Sequence, residues 1–178
     1  MVSLERPGYS EVRLLIGSLG AALLLAAAAG AAAATATSTI MVSVTLASTC
    51  TVSANPLSFG TYQPGQGSAS ASTTLAVRCT RGAPFSVALN AGTGGSVAQR
   101  LMSMGTSRLQ YNLYTTATHT AVWGDGTQST ATVSGVGRGF VSGAEITHTV
   151  YGQIPDSPAN VDLAPGHYTD VITVTVSY

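Results

Sequence analysis

Ile40-Met41-Val42-Ser43-Val44-Thr45-Leu46-Ala47 places Ile40, Val42, Val44 and Leu46 at every second position, with Met41, Ser43, Thr45 and Ala47 between them. Side chains two apart share one face of an extended strand, so the stretch reads as β structure with one apolar face. The same period returns downstream. Thr73, Leu75, Val77 and Cys79 share a phase, as do Phe85, Val87 and Leu89, then Leu109, Tyr111 and Leu113, then Ile146, His148, Val150 and Ile154. The last stretch sets Tyr168, Ile172, Val174, Val176 and Tyr178 on one face of an expected strand, against Thr169, Thr173, Thr175 and Ser177. Gly/Pro/Ser turns separate these segments, and no sustained helical spacing follows residue 35. The pattern predicts one all-β domain, a sandwich of two antiparallel sheets.

Composition agrees and narrows the function. Of 178 residues only seven are basic, all Arg, and seven acidic, a charged share of 8% against about 25% in average domains. Zero net charge argues against a nucleic-acid partner, which would need a basic stripe. Plentiful β-branched residues argue against disorder. Arg6 and Arg13 precede the uncharged run from Leu14 to Ala34, with Leu23-Leu24-Leu25 in its middle and small residues at Ala32-Ala33-Ala34. Residues 1–34 therefore read as a signal peptide cleaved near 34–36, and no stable membrane anchor is expected, since no basic stop-transfer cluster follows. In an exported chain Cys50 and Cys79 are expected to pair.

Little points to catalysis. The chain contains no His-Glu-x-x-His, no phosphate-binding Gly-x-x-x-x-Gly-Lys and no Gly-x-Ser-x-Gly. Neither an enzyme nor a cofactor or metal site is expected. Asp125, Asp156, Asp162 and Asp170 read as turn or strand-edge residues, and Arg81, Arg100, Arg108 and Arg138 as solvated surface. His148 reads as a core or edge histidine with a hydrogen-bonded nitrogen. Trp123, before the turn signal Gly124-Asp125-Gly126, has two readings: a core plug, or a surface-binding ring. Gly135-Val136-Gly137-Arg138-Gly139 reads as a flexible loop within the unassigned region Gly135–Gly143.

Several short pieces occur in an order that resembles the spore coat protein U domain family, which includes the pilin subunits of archaic chaperone–usher pili. They are Thr49-Cys50-Thr51-Val52, Val77-Arg78-Cys79, Leu109-Gln110-Tyr111-Asn112-Leu113-Tyr114, and Trp123-Gly124-Asp125-Gly126-Thr127. Val150-Tyr151-Gly152-Gln153-Ile154-Pro155 and Ala164-Pro165-Gly166-His167-Tyr168-Thr169-Asp170 follow, and the resemblance covers nearly all of residues 38–178. It implies an incomplete immunoglobulin-like antiparallel β-sandwich over residues 48–178, preceded by a donor strand over 37–47. Ile40, Val42, Val44 and Leu46 resemble the donor side chains. Cys50 and Cys79 resemble the family disulfide. Tyr168, Ile172, Val174, Val176 and Tyr178 resemble one wall of the acceptor groove. The implied partners are other pilin subunits, a periplasmic chaperone and an outer-membrane usher, with passage through the periplasm to a surface fibre for adhesion or biofilm formation. A shaft or adaptor position is implied over a tip, which would carry an additional binding domain. Spore-coat or envelope material, and a self-contained glycan-binding module, are the alternatives.

Overall fold

The computed structural model describes residues 33–178. The signal peptide expected over 1–34 lies almost entirely outside the described residues. One compact unit spans Val44–Tyr178, and residues 33–43, part of a separate unit, carry no regular secondary structure.

The compact unit is all-β apart from one helical turn. In chain order it contains β1 (Cys50–Ala54), β2 (Ala69–Cys79), β3 (Pro84–Leu89), β4 (Arg100–Met104), β5 (Ser107–Tyr114), β6 (Val133–Val136), β7 (Ile146–Ile154), α1 (Pro158–Val161) and β8 (Val174–Ser177). Five strands form one sheet in the order β1-β2-β7-β5-β4, and three form another in the order β6-β3-β8. Every ladder is antiparallel. The fold is an immunoglobulin-like antiparallel sandwich.

Period-two patterning decides which side chains enter the core. Leu75, Val77 and Cys79 of β2, Leu109, Tyr111 and Leu113 of β5, and Val150 and Ile154 of β7 face Phe85, Val87 and Leu89 of β3. Each is buried, as the alternation predicted. Cys50 and Cys79 stand directly opposite on β1 and β2 and form a disulfide, with Cα atoms 4.1 Å apart. Closing a loop of this length is worth about 3–4 kcal/mol by the chain-entropy argument.

Four readings need correction, and of the two readings of Trp123 one is settled. Trp123 is fully buried and its Nε1 donates to the Val87 carbonyl at 3.0 Å, so it plugs the core and offers no ring to a surface. Arg100 is not solvated: it is 0% exposed. It escapes the penalty of burial by donating to the carbonyls of Asn90 (2.9 Å) and Trp123 (2.8 Å) and to Asn112 Oδ1 (2.7 Å), with longer bonds to Leu89 and Val97. His148 has a buried Nε2 with no hydrogen-bond partner among the described residues, because the edge-on rings of Phe85 and Trp123, both 6.2 Å away, surround it with apolar surface. Gly135 and Val136 end strand β6 rather than opening a flexible loop, since the edge of β3 offers them a ladder. Finally, Tyr168–Tyr178 is not one strand. Thr169 pairs with Ser103 of β4, whereas β8 pairs with β3, so the chain changes sheets in between.

Candidate functional site: an open apolar groove

Beside β8 the sandwich is open. β8 pairs with β3 along one edge, and its other edge has no strand neighbour among the described residues. There a groove of about 900 Å³ reaches the core, with Leu75, Leu109, Tyr111, Leu113, Val150 and Ile154 on its floor. One wall is the segment 54–64, which contributes Leu57, Phe59 and Tyr62; the other is 163–174, which contributes Leu163, Tyr168, Ile172 and Val174.

Local polar chemistry fixes both walls. Asp156 accepts from Tyr62 Oη (3.0 Å) and from the amides of Gly65 (2.9 Å) and Gly67 (3.0 Å), which pins the first wall to the chain just after β7. Those same bonds, the two amides first, hold the Asp156 carboxyl below its ordinary pKa, and the shared proton raises the Tyr62 hydroxyl after burial has done so. Gly152 shows how closely the wall meets the sheet. A Cβ there would stand 2.7 Å from both Leu57 Cδ2 and Phe59 Cζ, so any larger residue would make the two side chains shift. The second wall begins at α1. There the buried Asn160 amide exchanges two bonds with the backbone of Gln110 (2.8 and 2.9 Å), standing in for a strand at that stretch of β5. Tyr168 Oη then donates to the Ala164 carbonyl at 2.8 Å, and Thr169 bonds Ser103 through both backbone groups.

Asp170 closes this arrangement. Its carboxylate accepts from the Thr93 amide (2.8 Å) and hydroxyl (2.7 Å), from the Val171 amide (2.8 Å), and from Tyr111 Oη on the groove floor (2.7 Å). Burial alone would raise the Asp170 carboxyl, but the bonds from Tyr111 and Thr93 outweigh it and hold it below the usual range. The Tyr111 hydroxyl is pushed far up, by burial first and by Asp170 second.

Of the residues expected to line an acceptor wall, Tyr168, Ile172 and Val174 line this groove. Val176 packs half-buried against the core and Tyr178 is exposed. The expected donor residues Ile40, Val42, Val44 and Leu46 are between 84% and 93% exposed and take part in no strand pairing among the described residues. Sequence reasoning missed Leu57, Phe59 and Tyr62, which sit in a stretch without strand periodicity. It also missed Arg100, for which a signal existed: Arg100 shares the parity of Met102, which packs on the core. Among the described residues, no group of three His, Cys, Asp or Glu side chains could hold a metal ion.

Fold and groove together define a β-sandwich domain with an open sheet edge. The Spore Coat Protein U domain matches residues 36–175, and the chain belongs to that family. Among solved structures the chain is similar to one in the crystal structure of the CsuC-CsuE chaperone-tip adhesion subunit pre-assembly complex from archaic chaperone-usher Csu pili of Acinetobacter baumannii. The TM-score is 0.52 at 22% identity, over 75% of this chain and 40% of that chain. This chain thus spans less than half of that one, and the likeness is one of fold. No curated protein sequence matches.

Proposed function

We propose that the protein is an exported structural subunit that polymerises by strand exchange, residues 37–47 of one copy filling the groove of the next. The observation that carries this reading is the pairing of an apolar groove beside an unpaired strand edge with a bare apolar segment on the same chain. An extended segment adds to a sheet edge through main-chain hydrogen bonds, and alternate side chains fill the pockets. Four such side chains, Ile40, Val42, Val44 and Leu46, would remove apolar surface worth about 6–12 kcal/mol, comparable to the ~5–15 kcal/mol stability of a whole domain. The function is assembly rather than catalysis. A groove this apolar calls for a periplasmic chaperone to shield it and an outer-membrane usher to pass the subunit to a surface fibre, and a relative of this fold occurs in a chaperone–pilus subunit complex. Deleting 40–46 should abolish heat-resistant multimers on gels while sparing capture by a co-expressed chaperone. Unchanged multimer ladders would overturn the donor assignment.

The family's description as a spore coat protein supports a second reading, envelope material that packs without exchange. Assembly that persists after loss of 40–46 would favour it.

A further inference from the structure

Ile172 and Val174 project into the groove from one wall, and Leu109, Tyr111 and Leu113 form the floor opposite. Apolar surfaces facing each other across water attract, so this wall has a standing tendency to close onto the floor or to wander. The segment is short, and its backbone is tied at both ends: Thr169 to Ser103 in the five-stranded sheet, and the Thr173 carbonyl to the Asn90 amide (3.1 Å) beside β3. Between those ties one side chain reaches across. Asp170 binds the floor through Tyr111 Oη and the loop after β3 through both polar groups of Thr93. The loop is shaped for it. Gly92 has φ +77°, and a Cβ there would collide with the Asp170 carboxylate.

We propose that Asp170 is a positioning residue for strand capture, a clamp that presets the spacing between wall and floor so that the groove accepts a strand without first rearranging. The inference rests on the strand-exchange reading of the groove. Its consequence is kinetic. A clamp that only raises the fraction of molecules with an open, correctly spaced groove increases the rate of capture; it leaves release little changed, because a seated strand itself holds the wall in place.

The test follows uptake of a fluorescent peptide of residues 36–48 by the dilute full chain, with urea unfolding measured alongside. Asp170→Asn keeps the shape but removes the charge that gathers four donors, and it should lower the association rate about tenfold. Its dissociation rate should stay within about twofold of the parent. Tyr111→Phe removes one of the four bonds and should move the association rate the same way by less; it carries the test if Asp170→Asn does not fold. Lower stability with an unchanged association rate would overturn the clamp and leave Asp170 a purely structural residue. A dissociation rate that rises by the whole factor would overturn it too, since Asp170 would then contact the strand itself. If the parent chain takes up no peptide, strand exchange fails and the clamp with it; uptake by the parent and at equal speed by Asp170→Asn sinks the clamp alone.

Discussion

Two stretches of this chain carry the same alternation and differ in what they meet. Ile40, Val42, Val44 and Leu46 are almost fully exposed, whereas Ile172, Val174 and Val176 are half-buried on the sandwich. Apolar periodicity is alike in the two. The second has a receiving edge, β3, with Leu89 opposite Val174 and Ser86 opposite Ser177. It also has polar brackets at its entry, where Asn90 Oδ1 accepts the Thr173 amide at 2.8 Å and Asp170 gathers Thr93 and Tyr111. A strand pattern therefore states a capacity to pair, and the neighbouring edge decides whether it is used.

The sharpest way to break this contrast is to remove what holds the receiving edge. Arg100 donates to the carbonyls of Leu89 and Asn90, where β3 ends and the last strand docks. Arg100→Met would leave these and the Trp123 carbonyl short of a donor inside the core, while Asn112 Oδ1 would keep only the Leu113 amide. At about 1–3 kcal/mol per buried unsatisfied group, partly relieved by relaxation, the expected loss is about 3–5 kcal/mol in urea unfolding. A loss under about 1 kcal/mol would show that these carbonyls find other partners.

A matched pair of substitutions compares the two stretches directly. Val174→Asp puts a charge against the groove and core and should cost about 2–4 kcal/mol. Val44→Asp should leave unfolding of the monomer within about 0.5 kcal/mol, as exposed positions do, while removing multimers. Equal effects on monomer stability would mean that Val44 is already seated in its own domain.

The smallest effect expected is a pH dependence from inside the sandwich. Burial disfavours the His148 imidazolium and lowers its pKa from the ordinary value of about 6.5. Protons then bind the unfolded chain more readily than the folded one. This contribution to stability is complete above about pH 6.5 and is lost as pH falls below it. Urea midpoints between pH 7.5 and 5 should fall for the parent and flatten in His148→Leu; an unchanged slope in the variant would locate the titration elsewhere.

Much of the scaffold was legible because period-two burial is a local property. Thr73–Cys79, Phe85–Leu89, Leu109–Leu113 and Ile146–Ile154 all lie within observed strands, with their in-phase residues turned toward the core. The groove was legible on one side only. Tyr168, Ile172 and Val174 announce themselves by phase and resemblance, but Leu57, Phe59 and Tyr62 line the opposite wall from an irregular segment. No strand period exists in that segment to read, and Asp156, roughly a hundred residues away, holds it. Arg100 misled for a related reason. Charge normally predicts exposure, and only the convergence of carbonyls from three separate parts of the chain, at Leu89 and Asn90, Val97 and Trp123, makes its burial tolerable.

From the sequence alone came the all-β class, the in-phase core residues, the expectation that Cys50 and Cys79 pair, and the family resemblance, since each depends on near neighbours or on ordered short motifs. Only the tertiary structure decided that Trp123 is enclosed, that Arg100 is a buried hub, that the last stretch changes sheets between Thr169 and Val174, and that an apolar groove lies open beside β8. Those outcomes depend on which distant carbonyls, edges and rings converge on one point, and no local pattern encodes that convergence.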